Sequence, residues 1–139
     1  MGRLFSVIRC VSRLLLVLWA GSLWSVGLWV TPILFSAQPD RHLAGVLAGR
    51  IFSIETYVGI AVAVLALLLP GRTKFVWGYV AAALLAANEW ALRPVMVAAR
   101  ANGSAAGLTF GAWHGVSAVL YVLACLAVLV LVWKQDVRG

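Results

Sequence analysis

Asn88-Glu89-Trp90-Ala91-Leu92-Arg93-Pro94 sets a carboxylate and a guanidinium inside a run, about Phe75 to Ala99, that is otherwise apolar enough to cross a bilayer. Lipid cannot solvate an ionised side chain, so an ionisable residue at membrane depth marks a place that must have a partner, a function or both. Glu89 and Arg93 are four residues apart, which on a helix puts them on one face and lets them pair. Pro94 brings no backbone N–H to the same turn and is expected to kink the helix or free a carbonyl beside the charges.

Outward from that run, three more apolar stretches follow the same pattern, at about 14–35, 44–69 and 108–133. Each is long enough at 1.5 Å per residue to span the hydrocarbon, and the connections between them are short. Residues 1–139 therefore read as one all-α domain, an integral membrane four-helix bundle. Composition agrees: 64% of the residues are hydrophobic, the mean hydropathy is +1.03, and only four residues are acidic. A soluble chain of this length has no core large enough to hide that much apolar surface. The formal charge of +7 comes from Lys and Arg scattered at segment ends, without a basic run or interleaved stacking aromatics, so nucleic acid is not an expected partner.

The same charges give an orientation. Arg3, Arg9 and Arg13, the Arg72/Lys74 turn, and Lys134 with Arg138 fall on one side, against Arg41 and Arg100 on the other. Both termini should be cytoplasmic. The run from Leu14 to Phe35 exceeds the apolar core of a usual secretory signal, and Phe35-Ser36-Ala37 makes a poor cleavage site, so an uncleaved anchor is expected. Cys10 and Cys125 form no paired-cysteine or metal motif.

The second segment opens with Gly45 and Gly49, a small-residue ridge, followed at once by Arg50, Ser53, Glu55 and Thr56. The fourth repeats small residues at Gly107, Gly111 and Gly115, and carries His114, Ser117, Tyr121 and Cys125 on one helical stripe. Counted inward from the external ends, Arg50, Arg93 and His114 lie roughly 10 to 13 Å deep, and Glu55 and Glu89 roughly 15 to 18 Å. These residues, with Asn88, are expected to form a polar intramembrane cluster of zero net charge. Arg50 and Glu55 point about 140° apart on a straight helix. They need different partners: Glu89 or external water for Arg50, and Arg93, Asn88 or His114 for Glu55. Each has a purely structural alternative, as a register clasp for Glu89 and Arg93, a packing residue for His114 and a snorkelling side chain for Arg50.

Trp19-Ala-Gly-Ser-Leu-Trp24, Thr31-Pro32-Ile-Leu-Phe35, Ala44-Gly45 with Gly49-Arg50-Ile-Phe52, Leu92-Arg93-Pro94 with Met96, and Phe110 with Trp113-His114-Gly115 resemble the transmembrane protein 205-like family, a membrane domain of unknown function. The resemblance implies a small four-span protein of the bacterial inner membrane. Animal relatives have been linked to resistance to platinum drugs and proposed to export them; the spans here offer few sulfur side chains, Met96 and Cys125, for such a relay. A weaker similarity, carried by Trp19-Ala-Gly and Pro32-Ile-Leu-Phe35, is to small four-helix membrane haem proteins of the protoporphyrinogen oxidase type. Those use a histidine in helix one and a lysine in helix three. Here segment one has neither, and segment three offers Arg93, which stays protonated and is a poor iron ligand.

Three functions fit these residues. One is a polytopic membrane protein that binds or transports a small solute, ion or proton at the cluster. Another is an assembly subunit whose glycine ridges contact a partner helix or a second copy. The third is a haem- or quinone-linked redox protein with His114 as axial ligand. No nucleophile triad, phosphate loop or HExxH motif argues for an enzyme, and no catalytic residue, metal or cofactor is expected outside the haem alternative. The bilayer itself is the expected partner.

Overall fold

The protein is seen in a computed structural model that describes residues 2–68 and 72–136. The Pro70-Gly71 turn and Arg138 lie outside the described residues. Among the described residues, four helices are long and apolar enough to cross a membrane: Ser6–Ala37, Arg41–Leu68, Val76–Asn102 and Phe110–Lys134, spans one to four. A multi-pass membrane protein with an all-α core is the result, and the bounds fall within a few residues of the expected ones except at the N-terminus. There the helix starts about three turns earlier, because Val7, Ile8 and Val11 continue the apolar pattern among the arginines.

Span one is α1 (Gly2–Ser25), a wide π-helical turn (Val26–Val30) and α2 (Thr31–Ala37). Span three has the same plan: α4 (Val76–Ala87), a π-helical turn (Asn88–Leu92) and α5 (Arg93–Asn102). In both, a single residue separates the wide turn from a proline, and that residue closes the turn. Thr31 donates its N–H to the carbonyl of Val26, and Arg93 donates its own to that of Asn88. A proline ring collides with the carbonyl four residues back, and widening the preceding turn removes the collision without unwinding the helix. This is the form taken by the disruption expected from Pro94. Pro32 produces a second, which hydropathy alone gave no reason to expect.

Span two, α3 (Arg41–Leu68), starts on Asp40, whose Oδ1 accepts the N–H groups of His42 at 2.8 Å and Leu43 at 3.2 Å. An N-cap of this kind satisfies donors that the first helical turn leaves free. A 3-10 turn, Arg72–Phe75, leads into α4. Between spans three and four the chain forms a small antiparallel hairpin, β1 (Ser104–Ala105) and β2 (Leu108–Thr109). Ala106 and Gly107 make its two-residue turn with φ of 48° and 79°, both positive as a type I′ turn requires. Gly107 is therefore a turn residue and not the first step of a packing ridge. Trp113 of α6 (Phe110–Asp136) ties the hairpin down, its Nε1 donating to the carbonyl of Ala105 at 2.8 Å.

Span four is the central packing partner, lying along both α4 and α1, while α3 packs along α4. The core is narrow: Leu23, Leu85, Val128 and Leu131 are its fully buried large residues, and Ala81 and Ala124 let the helices approach. Outward faces carry Leu18, Trp29, Ile54, Leu65, Leu68 and Trp133, which suits a surface solvated by lipid chains. At Gly59 spans one, two and three pack tightly, since a Cβ there would stand 3.1 Å from both Leu85 Cδ1 and Trp19 Cζ2. Gly21 has nothing within 4 Å of its Cβ position. Gly59→Leu is expected to cost about 2 kcal/mol or more by overpacking, and Gly21→Leu close to nothing. Thermal unfolding of the two variants in one detergent checks this; equal melting temperatures would contradict the packing described.

Candidate functional site

Polar contacts at four junctions, one between each pair of neighbouring spans, join the spans in a closed circuit. Between spans two and three, Ser53 donates to Glu89 Oε1 at 2.8 Å, while Arg93 Nη1 bonds both to the Ser53 hydroxyl and to Glu89 Oε1. Between three and four, Asn88 Nδ2 donates to the carbonyl of Ser117 at 3.0 Å, and the Ser117 hydroxyl returns a bond to Asn88 Oδ1 at 2.6 Å. Between four and one, the Tyr121 hydroxyl donates to the carbonyl of Leu23 at 2.7 Å. Between one and two, Ser22 donates to Glu55 Oε1. Each junction couples neighbouring helices, so the circuit fixes the rotation of all four.

The expected Glu89/Arg93 pair is present within the span-three turn, joined by Ser53 from span two. Glu55 takes a different partner from those expected. It is 6% exposed, faces span one and meets Ser22, while its Oε2 and the neighbouring indole Nε1 of Trp19 are buried without a hydrogen bond. Arg50, expected to reach Glu89 or water, lies on an exposed face of α3. The 140° between Arg50 and Glu55 explains both outcomes: with Glu55 turned inward to span one, Arg50 has to point out. Asn88 and His114 belong to the same neighbourhood as Glu89 and Arg93, but through different contacts. Asn88 is committed to Ser117, and His114 stacks on Phe110 with ring centroids 5.9 Å apart.

From the level of the circuit toward the end of the bundle that carries the hairpin lies a cavity of about 540 Å³. All four spans line it. Leu23, Trp24, Phe35, Phe52, Met96 and Val97 supply apolar wall, and Asn88, Glu89, Arg93, Arg100 and His114 supply polar groups. Ser117, Tyr121 and Cys125 follow His114 down one wall, so the stripe read on segment four does face inward. The glycine ridge of span two has an unexpected occupant. Cβ positions at Gly45 and Gly49 lie 3.6 Å from Arg100 Nη1 and 3.5 Å from Arg93 Nη2, so the missing side chains leave room for two guanidinium groups. On span four, by contrast, a Cβ at Gly115 would meet nothing within 4 Å and one at Gly111 only Thr109 Oγ1, at 4.0 Å.

Arg100 and Ser53 did not stand out in the sequence. Arg100 looks like a loop cation at the end of a span, yet its guanidinium lies 4.2 Å from the centroid of the Phe110 ring and lines the cavity. The available signal was register: Arg93 and Arg100 are seven residues apart and therefore share a face, as do Gly45 and Gly49. Ser53 continues the Gly45/Gly49 face by one more step of four.

Fold and site together define a multi-pass helical membrane protein whose bundle encloses a mixed polar and apolar cavity. Residues 14–105 match the family described as domain of unknown function DUF4149, and the chain belongs to that family. The matched region covers spans one to three and ends before α6, so the His114, Ser117 and Tyr121 wall lies beyond it. No curated protein and no solved structure matches the chain.

Removing Arg93 alone strands a Glu89 carboxylate whose side chain is 12% exposed, whereas removing both charges strands nothing. Arg93→Gln is therefore expected to lower the melting temperature more than the double variant Glu89→Gln/Arg93→Gln, with a coupling of about 1 kcal/mol or more. Additive losses in the double-mutant cycle would show that the pair does not act as one unit.

Proposed function

We propose that this membrane protein binds a small solute in the hairpin-end cavity, with the inter-span polar circuit as its rigid floor. One observation carries the reading: a volume of about 540 Å³ in which wall residues from all four spans converge with a few polar groups. Small-molecule sites have this size and this mixture of lining, and they form between the helices of bundles. The charged residues fit a binding site better than a moving relay. Glu89 and Arg93 are already paired with each other and with Ser53, so they offer a fixed polar surface. The motif resemblance to the transmembrane protein 205-like family is in keeping with handling of a small molecule, without naming one.

Ala118 lines the cavity and takes no part in the circuit. Ala118→Trp would fill the space from one wall. Solvent extraction and mass spectrometry of protein purified from its own membranes should recover a small molecule from the wild type and much less of it from the variant, at matched helical content. The same extract from both would overturn the proposal.

Membrane placement belongs to the same reading. We infer that the hairpin end faces away from the cytoplasm, in a bacterial inner membrane, because Arg9, Arg13, Lys74 and Lys134 gather at the other end. A cysteine placed at Gln38 should react with an impermeant thiol reagent added to intact spheroplasts, and one at Lys74 only after lysis. The reverse pattern would invert the topology.

A further inference from the structure

The cavity's charge balance and its shape say what kind of solute belongs in it, an inference that rests on the binding role proposed above. Its lining contains Glu89, Arg93 and Arg100 as the permanently charged or acidic side chains, so one cation remains after Glu89 and Arg93 are paired. Arg100 stands with its guanidinium against the Phe110 ring. A cation held on an aromatic face keeps its N–H groups free at the edge of the plane. On the other side, Arg93 spends Nη1 on Ser53 and Glu89, and its Nη2 lies against Gly49. Because Gly45 and Gly49 are four residues apart, the two guanidinium groups lean on the same helix face at stations about 6 Å apart. One group with two or three oxygens can be held between forks at that spacing. Next to this pair the wall is apolar, from Trp24, Phe35, Phe52 and Met96.

The geometry points to a lipophilic acid as the ligand: a molecule with one carboxylate or phosphate head between Arg93 and Arg100 and an apolar body against the span-one and span-two wall. The head group has two sources, a free amphiphilic acid or the phosphate of a bilayer lipid whose chain enters between the helices. Both present the same anionic chemistry to the same two residues.

Four twelve-carbon probes separate the possibilities, tested on the purified full chain in phosphatidylcholine nanodiscs, with uptake by empty nanodiscs subtracted. Dodecanoate and dodecyl phosphate should bind at least about ten-fold more tightly than dodecanol and dodecylamine. Arg100→Gln should remove that preference. Gly45→Leu, which keeps every charge and takes the space beside Arg100, should weaken the acids in the same way. Dodecylamine binding as tightly as the acids, or an acid preference that survives Arg100→Gln, would overturn the inference and leave the binding role standing. Failure of all four probes to bind would remove the binding role itself. In phosphatidylglycerol nanodiscs, loss of dodecanoate binding by competition assigns the head group to a bilayer lipid; unchanged binding assigns it to a free acid, and either result supports the anionic site.

Discussion

Hydrocarbon offers no hydrogen bonds, so a polar side chain inside this bundle has to find its partner on its own helix, as Thr56 does on the carbonyl of Phe52, or on another helix, or go without. That constraint produces the circuit from Ser53 through Glu89 and Arg93, Asn88 and Ser117, Tyr121 and Leu23, to Ser22 and Glu55. Dispersion between Ala- and Leu-rich faces is nearly indifferent to helix rotation, and lipid competes for the same contacts. Directional bonds are not indifferent. They select one rotation for each helix, and the buried residues above and below follow from that choice.

The cavity is a consequence of where the circuit sits. At its level the four spans are joined neighbour to neighbour, and toward the termini the contacts among Val128, Leu131 and their neighbours close the bundle. Toward the hairpin the buried residues among those described are small, Ala44, Ala48 and Ala99, in place of the large Val and Leu side chains near the termini. The glycine face of span two recedes, the two arginines occupy part of the space, and the aromatic residues of spans one and four stand at the sides.

Much of this was legible in the sequence, and what was not has definite physical causes. The spans could be read because hydropathy and length decide them. The Glu89/Arg93 pair followed from a spacing of four within one helix, and the inward stripe of span four from a regular α-helix that keeps its register from Phe110 onward. Partners across helices were a different matter. Depth put Glu55 and Glu89 at one level, but level does not fix azimuth, and Glu55 turned toward Ser22 on span one. The hairpin escaped notice because Ala106-Gly107 is a weak turn signal and its strands are two residues long. Gly45 and Gly49 read as a ridge for a neighbouring backbone, whereas the groups beside their Cβ positions are the guanidinium groups of Arg100 and Arg93.

The paired wide turns carry a meaning that concerns counting more than chemistry. A π-helical turn holds one residue beyond what the α-helix needs, and on a helix one residue corresponds to about 100° of rotation. The stretch from Arg93 to Arg100 is thus aimed by the number of residues before it, not only by their kinds. A chain one residue shorter between Ala87 and Arg93 would keep its hydropathy, its length for spanning and nearly all its composition, and would present those arginines to a different neighbour. Spans one and three encode the direction of their outer halves in a single surplus residue, a quantity invisible to any scale that averages over a window.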